Sequence, residues 1–157
     1  MRDRRFVAVH RGGPLDATHH RLLATWAADC ADRAVSSCES FAASSELDPR
    51  PRRAIEVARA WGRGDVLAGV AMKAAVAAHA AARAMSQATA TAAARAAGHA
   101  AATAHAADHC LGAATYAQKA VRASGGDVEA ERAWQIEQLP AELRGLVTSA
   151  LARRHAL

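Results

Sequence analysis

Alanine constrains this chain more than any other feature. Residues 74–84 and 88–107 are alanine runs broken only by isolated Val, His, Arg, Thr and Gly, and roughly three in ten residues overall are Ala. Alanine has the highest helix propensity and buries little area, so such runs favour helices and supply few large core side chains. Helices with small faces pack at the short end of the usual separation of about 8–10 Å. The expectation is an all-α fold: a compact bundle of six or seven Ala-rich helices. Aromatics make up only 4% of the chain. Its core therefore depends on a few large anchors: Trp26, Trp61 and Trp134, with Phe6, Phe41 and Tyr116.

A length of 157 residues suits one domain spanning 1–157. Residues 1–14 read as an extended arm that ends at Gly12-Gly13-Pro14 and lies across the helices. Asp16 caps a first amphipathic helix over about 17–35, in which Leu15, His19, Leu22, Leu23, Trp26 and Cys30 recur at helical spacing. The Ser-rich segment 36–50 reads as a loop. Pro51 suits the first turn of a second helix, which Gly62 and Gly64 end, with Asp65 capping the next. A third helix covers 66–84 and a fourth about 88–106, with Ser86 or Thr89 capping the restart; near Asp108 the fourth either continues or breaks. A fifth stops at Gly125-Gly126, Asp127 caps a short sixth, and Pro140 opens the last, whose stripe is Leu143, Leu146, Val147, Ala150 and Leu151.

The formal net charge is +5, and arginine supplies 18 of the 20 basic residues. Two arginine groups stand out. One is Arg2, Arg4, Arg5 and Arg11. The other, Arg50, Arg52, Arg53, Arg59 and Arg63, is a candidate interaction surface. Nucleic-acid binding is a weaker alternative, since the nearby aromatics Phe6 and Trp61 sit at apolar positions and no helix-turn-helix, zinc-finger or basic-zipper pattern occurs. The three cysteines, Cys30, Cys38 and Cys110, are odd in number and lack C-x-x-C spacing, which argues for reduced thiols. No apolar stretch follows the basic N-terminus and none is long enough to span a bilayer, so the expectation is a cytoplasmic protein with no membrane partner.

Histidine offers the sharpest chemical candidate. His99, His105, Asp108 and His109 lie close in sequence, and His79 stands on the preceding helix. On one continuous helix His105 and His109 share a face at i, i+4, the spacing of two imidazoles on one metal ion, with Asp108 as a third ligand or an orienting acceptor. That reading supports a small metal-dependent or acid–base enzyme. The H-E-x-x-H signature is absent, however, and no Glu is placed as a general base. The competing reading makes His79, His99, His105, Asp108 and His109 a hydrogen-bonded structural network between Ala-rich helices, with no catalytic residues, metal or cofactor.

Several stretches together resemble a known family. They are Arg4 to Leu15 (RRFVAVHRGGPL), Pro49 to Trp61 (PRPRRAIEVARAW), the Ala-Ala-His-Ala-Ala-Ala-Arg segment ending at Arg83, Gly98 to His109 (GHAAATAHAADH), Leu111 to Ala114, and Trp134 through Pro140. The chain resembles the Imm-5-like immunity proteins, small all-helical bacterial proteins, over nearly its whole length. The resemblance implies a non-catalytic, antitoxin-like protein that neutralises a polymorphic toxin by direct protein–protein binding, and it implies no catalytic residues. Immunity proteins directed at nucleases are often acidic; a basic one fits an acidic toxin surface or a non-nuclease target better.

Overall fold

A computed structural model describes residues 3–40 and 47–155. Its described residues form seven α-helices and no sheet, so the protein is all-α. The helices are α1 (Ala17–Glu39), α2 (Pro49–Arg63), α3 (Ala68–Ala84), α4 (Ala88–Ala102), α5 (His109–Ala123), α6 (Val128–Glu137) and α7 (Ala141–His155).

Side-chain caps fix several of the ends. Asp16 accepts from the His19 N–H at 2.8 Å and starts α1. Asp48 accepts from the Arg50 N–H at 3.0 Å, with Pro49 in the first turn of α2, where its missing N–H costs nothing. Gly64 then closes α2 in the left-handed region at φ +84°. Asp127 accepts from the Ala130 N–H at 3.0 Å to start α6.

Several boundaries differ from the sequence reading. Helix α1 runs on to Glu39, into the segment read as a loop, and α2 begins at Pro49; Phe41 and residues 41–46 lie outside the described residues. Asp65 does not cap α3, because its carboxylate is taken by Arg63 at 2.8 Å and Leu67 holds the cap position. Gln87, and neither Ser86 nor Thr89, precedes α4. The N-terminal segment is not simply extended: residues 4–6 and 9–11 form short 3-10 turns. The Val9 N–H donates to the Leu15 carbonyl at 2.8 Å and the Leu15 N–H to the Val7 carbonyl at 3.0 Å. A Cβ at Gly13 would lie 2.0 Å from the Val7 carbonyl oxygen, so only glycine lets the chain fold back on itself there. Phe6 and Leu15 are thereby driven into the core, and Asp3 reaches Arg153 of α7 at 2.8 Å.

Helix α4 is the central element. It packs on α1, α2, α3 and α5, and nine of its residues are buried, all of them Ala except Gly98. Helix α3 packs chiefly against α2 and α4 and forms an outer wall. Around the alanine centre the volume is filled by Leu23, Trp26, Ile55, Leu111, Leu139 and Val147. Trp26 is 2% exposed, and its indole N–H donates to the Gln135 carbonyl at 2.7 Å, tying α1 to α6. Trp61 and Trp134 are only half-buried. The Arg33 guanidinium lies 4.4 Å from the centre of the Trp134 ring and that of Arg21 5.5 Å from the centre of the Trp61 ring, so cation–π contacts cover the parts the core leaves open. Trp26 is thus a core anchor, while Trp61 and Trp134 sit at its rim.

Candidate functional site

Three of the histidines singled out in the sequence come together, one from each of three consecutive helices. His79 of α3 lies over Gly98 of α4, where an added Cβ would come within 2.7 Å of the ring. The next residue, His99, lies over Gly112 of α5, where a Cβ would come within 2.6 Å of Nδ1. Each imidazole therefore occupies the space that a glycine leaves open on the following helix. The His79 and His99 rings meet nearly perpendicular, 5.1 Å apart. His99 and His109 have ring centres 5.3 Å apart, with their Nδ1 atoms at 3.1 Å. Tyr116 stacks on His99 at 5.3 Å.

That geometry has a protonation requirement. Two nitrogens at 3.1 Å need one N–H and one lone pair, so only one of the two rings carries its proton at Nδ1. Burial, and then the neighbouring His79, His109, Arg154 and Arg95, hold His99 down to about 4. Burial also lowers His79, with Arg95 adding to the effect. His99 is thus neutral at physiological pH. Among the described residues no group of three or more His, Cys, Asp or Glu side chains is placed to hold a metal ion.

His105 does not join the cluster. The i, i+4 pairing with His109 presumed one helix, but α4 ends at Ala102 and α5 begins at His109, with turns between. The Thr103 N–H turns back onto the carbonyls of His99 and Ala100, and the His105 N–H onto that of Ala102. His105 is exposed on this connection, and its Nδ1 faces the Arg11 guanidinium at 3.4 Å. Asp108 holds the first position before α5 without capping the helix, and its charge adds to burial in raising the Cys110 thiol. Cys30 and Cys110 are buried free thiols, both pushed up by burial and therefore poor nucleophiles.

Two polar features escaped the sequence reading. His20 is buried where His19 was expected inside; its Nε2 lies 2.6 Å from the Thr103 carbonyl, and its ring packs edge-on against Trp61 at 4.8 Å. It closes the α4–α5 connection against α1, and its spacing to Leu23, Ala24 and Ala27 is the signal that would have placed it. The second is a buried amide network. Gln118 donates to Gln135 at 2.8 Å, Gln135 donates to Glu131 at 3.0 Å, and Glu131 is met by Arg33 at 3.0 Å. Each polar group has a partner, so this network fixes how α5, α6 and α1 register.

The arginine group on α2 is spent within the chain. Arg52 binds Asp32 and, through two contacts of 3.1 Å, Glu39. Arg59 bridges Asp29 at 2.8 Å and Asp32 at 2.9 Å. Partial burial opposes ionisation of Asp32, but Arg52, Ser36 and Arg59 outweigh it and hold the carboxyl below its usual range. Arg50 pairs with Asp48 at 2.7 Å, Arg53 with Glu56 at 3.7 Å and Arg63 with Asp65 at 2.8 Å. The expected basic surface is thus neutralised locally, and its two best-buried members stitch α2 to α1. Of the N-terminal group, Arg2 lies outside the described residues, while Arg5 pairs with Asp3 at 2.7 Å.

No helix among the described residues is long and apolar enough to cross a membrane. Comparison with known proteins gives one family: the model described as Imm-5 like putative immunity protein matches residues 13–142. No curated protein and no solved structure matches the chain. The matched span takes in α1 to α6 and the first residues of α7, including the histidine trio and both of its glycines, and on that match the chain belongs to the Imm-5-like family.

Proposed function

We propose that this protein is an immunity protein that neutralises a toxin by binding it directly in the cytoplasm and performs no chemistry itself. The observation that carries this reading is the family match over residues 13–142. The geometry supports it. The histidines that would carry a reaction are packed on glycines and on one another, with His99 held neutral by burial, an arrangement suited to joining three helices. His79, His99 and His109 are in this reading a structural network. His105 and Asp108 belong to the adjoining turn, and no residue is assigned to metal or cofactor binding.

The test is protection. Each reading frame beside this gene in its source genome is expressed in bacteria with and without the chain. A neighbour that arrests growth alone, is tolerated with the chain, and co-elutes with it in size-exclusion chromatography is the expected result. Toxic neighbours that the chain neither binds nor neutralises would overturn the reading.

A further inference from the structure

The outer face of α3 differs from the rest of the surface. Of the five large hydrophobic side chains exposed among the described residues, three belong to this helix or its cap: Leu67 is 81% exposed, Val70 43% and Val76 62%. Along the helix Val70, Lys73 and Val76 follow at three-residue spacing, which sets the two valines on either side of Lys73. Arg83 stands two turns beyond Val76 on the same line, also exposed. Ala77, Ala80 and Ala84 fill the gaps, leaving a smooth strip.

The charge pattern of this region is one-sided. From Val66 to Ala107 there is no Asp or Glu, while Lys73, Arg83 and Arg95 are basic. Three of the formal five positive charges therefore come from this stretch, and the remainder of the chain is close to balanced. The nearest carboxylate before it, Asp65, is engaged by Arg63 at 2.8 Å. The cations of α2 are satisfied by α1 or by near neighbours on their own segment; those of α3 have no carboxylate in their own segment to satisfy them.

We propose that this face, Leu67, Val70 and Val76 with Lys73 and Arg83, is where the protein docks its partner, and that the partner presents an apolar patch bordered by carboxylates. The inference rests on the binding role proposed above and names the surface that performs it. Aliphatic side chains give the desolvated centre of such a contact, and unneutralised cations beside them give orientation and a fast encounter. A second copy of this chain is a poor occupant. A two-fold contact through α3 gathers Lys73 and Arg83 of both copies, four cations, into one interface with no carboxylate of that face to offset them. Nucleic acid fits no better, because no aromatic side chain stands on the strip to stack a base.

The experiment measures binding of the toxin that the protection test identifies. Val76→Glu, and Lys73→Glu with Arg83→Glu, replace exposed side chains, so circular dichroism and melting temperature should match the parent. Val76→Glu should weaken the complex by roughly tenfold or more. The double reversal should slow association and flatten its dependence on salt. Arg53→Ala, on the ion-paired face of α2, should leave affinity unchanged. If the parent binds and protects while all α3 variants bind like it, this inference fails and the immunity reading stands. If the parent binds no toxin, both fall. Sedimentation showing self-association that Val76→Glu abolishes, or parent binding to phosphatidylserine vesicles that the double reversal abolishes, would give the face to a second copy or to a membrane and overturn the proposal.

Discussion

Two helix pairs of this protein solve the same problem by different means. Helices α1 and α2 are held by charge: Asp29, Asp32 and Glu39 on one side, Arg52 and Arg59 on the other, in a connected set of hydrogen-bonded ion pairs. Helices α3 and α4 have no carboxylate at all and are held by shape, alanine on alanine, with His79 seated on Gly98. The first pair uses Arg52 and Arg59 for cohesion; the second leaves Lys73 and Arg83 of α3 exposed. An arginine count alone does not separate the two uses: Arg52 and Arg59 are engaged by carboxylates of α1, whereas Lys73 and Arg83 have no carboxylate in their own segment.

The largest effect is expected at the buried anchor of α1: Trp26→Ala should cost about 3–5 kcal/mol in chemical denaturation, whereas Trp134→Ala at the rim should cost clearly less. Next come the glycines under the histidines. Gly98→Ala and Gly112→Ala place a methyl where a ring already sits and should each cost about 1–3 kcal/mol, despite the gain in helix propensity. Stabilisation by either substitution would mean the rings are not seated as described.

Acid should act on the same region. The folded His99 is held down to about 4 against about 6.5 in the unfolded chain, so the unfolded state binds the proton first. Its contribution is fully present above pH about 6.5 and is lost as pH falls toward 4, about 1–2 kcal/mol once the ring's partial exposure is allowed for. His99→Gln should flatten that part of the profile. A smaller loss, about 1 kcal/mol and reduced by salt, is expected for Arg52→Ala, which frees Glu39 and leaves Asp32 to Arg59 and Ser36. Smallest of all, Lys73→Ala and Arg83→Ala should change stability by less than about 0.5 kcal/mol, since nothing in their own segment pairs with them.

The parts of this fold legible in the sequence are those with local punctuation. Asp16, Gly64 and Asp127 each satisfy or release backbone groups within a few residues, and the helix ends they set were readable; Asp48-Pro49, which starts α2, was read instead as the end of the preceding loop. The place of the break between α4 and α5 was not readable: the alanine pattern carries the fourth helix to about 106, and α4 ends at Ala102. Alanine continues through Ala104, Ala106 and Ala107, and the turn is stabilised from a distance, by His20 bonding the Thr103 carbonyl. The same break separated His105 from the trio. The meeting of His79, His99 and His109 was expected from their alanine surroundings, but their glycine seats depend on register between helices, which spacing along one helix does not carry. The Gln118–Gln135–Glu131 network is tertiary in the same sense.

The central claim is that the histidine trio holds helices together while function lies in binding. The most direct test measures melting temperature and protection against the toxin on one variant, His99→Gln. A lowered melting temperature is expected, with full protection and parent-like affinity at temperatures where the variant remains folded. An unchanged melting temperature with protection abolished would contradict it and make His99 a functional residue.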